Sequence, residues 1–217
     1  MGALVRGGRT GSGRVRWTGG LGMVRRPVSC IAFPATAPPF PEALGVAERI
    51  EAGVFRATFG ESADDLRSYY SDHRPQTQIV LAHDDGWAGM MRLGLPGPRM
   101  SLSLEDAVAP PFDATPEADL ADDGPAVLLD VLTAAVRSRF RNRRLFERML
   151  GVAARVADEH GCTHVVGMVD RRVLTYLRHR RLPLTLHSDL HHYYGSPATG
   201  FCSVGTAALR HWLAEGA

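Results

Sequence analysis

The chain has 217 residues, 45% hydrophobic and 22% charged, enough for one domain with a full-sized core and short for two. No run approaches the roughly 20 apolar residues that span a bilayer, so no membrane span is expected. The three cysteines, Cys30, Cys162 and Cys202, are odd in number and widely spaced, which predicts neither a disulfide framework nor a zinc site and fits a reducing cytoplasm.

All 25 basic residues are Arg, so Schiff-base chemistry on a lysine is excluded. The formal charge of +2 hides an asymmetry: six Arg precede the first acid, Glu42, leaving 19 Arg against 23 acids in residues 42–217. A chain that is basic only in its tail lacks the clustered footprint of a nucleic-acid binder, and no nucleic-acid partner is expected.

In chain order, residues 1–42 are rich in Gly, Arg and Pro, lack apolar periodicity and read as a disordered tail. The folded domain is then expected over 43–217. Val46, Ile50, Val54 and Phe55 recur at helical spacing and predict a helix over 45–61. Residues 78–82 read as a buried strand, Asp84-Asp85-Gly86 as a hairpin turn, and 87–93 as the second strand of the pair. Pro96-Gly97-Pro98 breaks the chain, and 107–125, with four prolines and five acids, reads as an exposed loop.

The second half alternates. Residues 126–136 form a continuous apolar strand candidate, and 142–160 an amphipathic helix closed by Gly161. A strand over 163–169, a short helix over 171–179, a strand over 200–204 and a helix over 206–214 follow. This order predicts an α/β domain with a mixed sheet covered by helices.

The segment 136–146, Val-Arg-Ser-Arg-Phe-Arg-Asn-Arg-Arg-Leu-Phe, lies between a strand and a helix. It resembles the coenzyme A pyrophosphate loop of the GNAT N-acyltransferases, where unpaired backbone N–H groups at a helix start and neighbouring Arg side chains hold phosphate. Arg141 matches the family Arg before the turn, whereas Asn142, Arg144 and Phe146 stand where the family usually has Gly.

Further segments resemble the acyl-homoserine lactone synthase branch of that fold. They are Trp87-Ala88-Gly89-Met90-Met91-Arg92-Leu93 with Pro98-Arg99-Met100, the strand 161–170 leading to Arg181-Leu182-Pro183, and Tyr193-Tyr194-Gly195-Ser196-Pro197. The chain departs from that branch on its central strand, where the Glu-x-Ser-Arg pattern is replaced by Asp130, Leu132 and Thr133, and near the N-terminus, where the paired Asp64-Asp65 lack the accompanying Trp.

The resemblance implies a GNAT-type mixed, mostly antiparallel sheet with a central splayed strand pair. It implies acyl transfer from acyl-CoA, or from the acyl-phosphopantetheine of an acyl carrier protein, to a small, amino-acid-like amine. In that frame the backbone of Leu132, Thr133, Ala134, Ala135 and Val136 binds the pantetheine arm, and Arg139, Arg141, Asn142, Arg143 and Arg144 meet the phosphate. Asp130 is the candidate base, Tyr176 the candidate acid for the leaving thiolate, and Arg92 the candidate group for an acceptor carboxylate. His187, His191 and His192 lack regular ligand spacing, so no metal is expected. Two alternatives stay open: a lactone synthase using S-adenosylmethionine, and a non-catalytic module that binds acyl carriers.

Overall fold

The computed structural model describes residues 28–60, 76–97, 101–115, 120, 125–141 and 143–216. The first element is a strand, β1 (Ser29–Pro34), paired antiparallel with β2 (Thr77–His83). This corrects the expected boundary near residue 42: Phe33 and Ala35 are buried in the cluster that also holds Ile79 and Leu81. Six residues were too short a run to show period-two alternation amid Pro and Gly, yet burying the Phe33 ring is worth about 1.5–3 kcal/mol. Residues 1–27 of the expected tail lie outside the described residues.

Between those strands runs α1 (Ala43–Phe59), which buries Ala43, Val46, Ala47 and Ile50 and ends where Gly60, at φ 80°, returns its N–H to Arg56 O. The expected hairpin joins β2 to β3 (Trp87–Gly94), with Asp85 and Gly86 at φ 51° and 125° in the turn.

The stretch after it is corrected as well. A short helix, α2 (Leu102–Val108), is capped by Ser101, whose Oγ accepts the Leu104 N–H at 3.3 Å. Ala107, Phe112, Ala114 and Leu120 are buried, so this part of the expected exposed loop packs against the sheet. Over 111–115 the exposed Pro111, Asp113 and Thr115 alternate with the buried Phe112 and Ala114.

The β-α-β-α pattern is present: β4 (Leu128–Val136), a 3-10 turn (Ser138–Phe140), α3 (Leu145–Glu159), β5 (His164–Asp170) and α4 (Arg171–His179). Gly161, at φ 64°, ends α3 as expected. Two short strands, β6 (Thr185–Leu186) and β7 (His191–Tyr193), precede β8 (Ser196–Gly205) and α5 (Thr206–Ala214).

The eight strands form one sheet in the order β1-β2-β3-β4-β5-β8-β6, with β7 also on β8. Among the described residues only the β4–β5 pair is parallel, and it holds register through three positions, Leu128 to Asp130 against His164 to Val166. One face packs on α3 and α5 through Val80, Ala82, Met91, Leu93, Leu129 and Val165. The other packs on α1 through Ile79, Leu81, Met90 and Ala135, and on α2 through Val166 and Phe201. The alternation of neighbours between the two clusters is the period-two signature of strands buried on both faces.

Candidate active site

Beyond Asp130 and Val166 the strands β4 and β5 part, although each continues for several residues. At the apex they are still close: a Cβ at Gly167 would stand 2.9 Å from the Val131 carbonyl oxygen, so only glycine lets the two backbones meet there. A bulge also falls on β4. Arg92 pairs with Thr133 and Leu93 with Val131, which leaves Leu132 as the extra residue. From Thr133 to Val136 the β4 backbone is laddered to β3 on one side and, among the described residues, has no strand on the other. That open edge is the backbone expected to hold a pantetheine arm.

Beside the first half of β4, between it, the ends of β2 and β3 and the start of α2, lies a cavity of about 450 Å³. Leu95, Leu102, Leu104, Leu128 and Leu132 supply apolar walls, and Gln76, Thr77, Ser101 and Asp130 supply the polar ones. Asp130 faces α2 rather than the α3 side, because it alternates with Leu129. It is 2% exposed. Its Oδ1 accepts the Ser103 hydroxyl at 2.6 Å, and its Oδ2 accepts the Ser103 N–H at 2.9 Å and the Ser101 hydroxyl at 2.7 Å. Burial pushes its pKa up, the bonds from Ser103 and Ser101 pull it down, and the charge of Asp106 raises it further.

Arg92 lies on the same sheet face but is engaged. Its Nε and Nη2 reach the two carboxylate oxygens of Glu51 in α1 at 3.2 and 2.7 Å, and the Thr133 hydroxyl donates to the same carboxylate. All three residues are buried. The expected role of holding an acceptor carboxylate is therefore not what this geometry offers: the fork is filled by Glu51, and removing one partner of such a pair costs about 3–5 kcal/mol.

Tyr176 does not converge with the other two. It sits on α4, 41% exposed, with its hydroxyl donating to Glu147 in the first turn of α3, and Arg180 Nε is 3.8 Å from that carboxylate. Burial of the hydroxyl end and the Glu147 carboxylate push its pKa up to about 12. In this state its proton is held by Glu147.

The Arg-rich loop leads into α3, whose N-cap, Arg144, has φ 53° and no side-chain cap. Arg139 and Arg141 are exposed, and the Arg139 guanidinium lies 4.6 Å from the Phe140 ring centroid. Arg143 is spent differently: it pairs with the buried Asp84 of the β2–β3 turn at 2.7 Å. Arg144 Nη1 reaches Gly216 O at 3.3 Å, and Asn142 lies outside the described residues. Of the arginines expected to meet a phosphate, Arg143 is thus taken by Asp84, while Arg139 and Arg141 are exposed.

Four residues that organise this site escaped sequence reasoning: Glu51, Ser101, Ser103 and Glu147. Two had a signal. Glu51 sits beside Ile50 on the buried arc of a helix, and Glu147 is an acid in the apolar stripe of α3, both requiring a partner.

No protein-family model and no curated protein matches the sequence. Solved structures match in fold. FeeM, an N-acyl amino acid synthase from uncultured soil microbes, superposes with a TM-score of 0.65 at 17% identity, over 89% of this chain and 98% of that one. BjaI, described as a CoA-dependent acyl-homoserine lactone synthase with SAM and isopentyl-CoA, gives 0.55 at 13% identity, over 87% and 89%. A protein from Desulfovibrio desulfuricans assigned to the GNAT family gives 0.52 at 15% identity, over 83% and 99%. At these identities the likeness is one of fold, and the chain has the GNAT fold.

Proposed function

From that fold we propose that the protein is an N-acyltransferase, moving an acyl group from the thioester of coenzyme A or of an acyl carrier protein to the amine of a small acceptor. The observation that carries this reading is the cavity beside β4, with the buried Asp130 carboxyl in its wall and the open edge of β4 beginning at Leu132. The donor arm lies along the open edge of β4, its phosphate at Arg139 and Arg141. Its thioester stands at the apex near Leu132, and the leucine-lined cavity takes the acyl chain or the apolar part of the acceptor.

The acceptor arrives as an ammonium and loses a proton to Asp130. The free amine then attacks the thioester carbon: a C–N bond forms, the C–S bond breaks, and the second nitrogen proton ends on the departing thiolate. Tyr176 is the hydroxyl nearest in role to that last transfer, and it can serve only when its bond to Glu147 is broken. Positioned acid–base groups of this kind contribute about 10² to 10⁴ in rate.

Thiol release from a panel of acyl thioesters, each offered amino acids as acceptors with and without S-adenosylmethionine, tests the reading. Release with amino acids alone is expected. Release that requires S-adenosylmethionine would assign the chain to lactone synthesis instead, and tight donor binding with no release would make it a non-catalytic carrier-binding module.

A further inference from the structure

We propose that Ser101 is a catalytic residue, the hydroxyl through which the acceptor's proton reaches Asp130. The inference rests on the acyltransferase reading above and adds to it the path that the proton takes. Asp130 Oδ2 already accepts two hydrogen bonds and Oδ1 one, and the residue is 2% exposed, so a proton approaching from the Ser101 side meets that hydroxyl before it meets the carboxylate. Three bonds do the covering, and two residues make them: the Ser101 hydroxyl, and the hydroxyl and backbone N–H of Ser103.

Ser103 supplies two of those bonds, is 4% exposed and does not border the cavity. Ser101 supplies the third and does border it. The orientation of the Ser101 hydroxyl is also fixed. Its hydrogen points to Asp130 Oδ2 over 2.7 Å, and one lone pair takes the Leu104 N–H at 3.3 Å. A hydroxyl has a second lone pair, and Ser101 lines the cavity from which the acceptor would approach.

The step balances as two coupled transfers. The ammonium N–H bond breaks as its proton joins Ser101 Oγ, while the Ser101 O–H bond breaks as that proton joins Asp130 Oδ2. Serine ends neutral, the carboxylate becomes a carboxylic acid, and the acceptor becomes a free amine able to attack. Ser103, with its N–H and O–H both on Asp130, holds the carboxylate in the rotamer that keeps Oδ2 toward Ser101.

Three variants separate this role from the cap that Ser101 provides to α2. Asn caps a helix but has no hydroxyl, Thr keeps both, and Ala keeps neither. With an active donor and acceptor pair, Ser101→Asn and Ser101→Ala are expected to lower kcat about 100-fold or more, and Ser101→Thr to stay within about tenfold of wild type. Donor dissociation constants, read with a non-hydrolysable thioether analogue, should be unchanged in all three. The solvent deuterium isotope effect on wild-type kcat should require two protons in flight, and on the Asn variant fewer. Wild-type kcat in Ser101→Asn, or equal losses in the Thr and Ala variants, would overturn the relay alone. Absence of thiol release from the wild type with every pair would overturn the acyltransferase reading, and the relay with it.

Discussion

At the scale of single residues, the site is organised by carboxylates that are buried and occupied, Asp130 by two serines and Glu51 by Arg92 and Thr133. Asp130 lends itself to a pH test. Burial raises its pKa, so the folded state holds the proton more tightly than the unfolded chain, whose aspartates titrate near about 3.9. A group raised in this way contributes stability that is full below the unfolded value and lost as the pH climbs through the higher folded one. Wild type should therefore lose thermal stability relative to Asp130→Asn as the pH rises out of the acid range, with Asp106 the neighbouring charge that enlarges the effect. Melting temperatures of both proteins across that range check it, and a constant offset would mean that the hydrogen bonds cancel the burial. Asp130 was legible in the sequence as a polar residue in an apolar strand. Its partners were not, because nothing local tells a cap serine from one that also reaches across the sheet.

At the scale of elements, the strand–turn–helix from β4 to α3 was readable because its parts follow local rules: an apolar run, a basic turn, an amphipathic helix and a glycine stop. The tertiary fate of each arginine was not. Arg143 and Arg141 are two residues apart in the same turn, yet only the first meets Asp84, since the β2–β3 hairpin lies over that side. Arg144, also exposed, reaches Gly216 O, so the donor's phosphate is expected to depend on Arg139 and Arg141. Each charge-assisted contact is worth about 1.5 kcal/mol or more, so the double change Arg139→Ala, Arg141→Ala should weaken binding of a phosphopantetheine thioether about 100-fold. Calorimetric titration measures this, and an unchanged affinity would leave the loop as a solvated face. The helix α2 was missed for a related reason: Ser-Leu-Ser-Leu alternates as a strand would, and the contacts that make it helical lie on β4 and β5.

At the scale of the whole molecule, the fold class followed from the order of elements, and the domain edge did not. A tail without acids and with scattered Pro and Gly conceals β1, which is held by the edge of β2, some 50 residues later, and by the cluster that buries Phe33. Pairing at such range is a property of the sheet and not of the segment. The split has a consequence for how the native state exchanges its amide hydrogens. In a laddered strand, successive N–H groups point to opposite neighbours, but among the described residues β4 past its third parallel rung has a strand on the β3 side alone. Its amides should then sort into two populations within one strand, slow where they are bonded to β3 and fast where they point into the split. A bound donor arm would supply the missing acceptors and slow the fast set while leaving the slow set alone. Amide-resolved deuterium uptake with and without the thioether analogue would show this as an alternating pattern along a single strand, and uniform protection of all its amides would mean that the split is closed in solution.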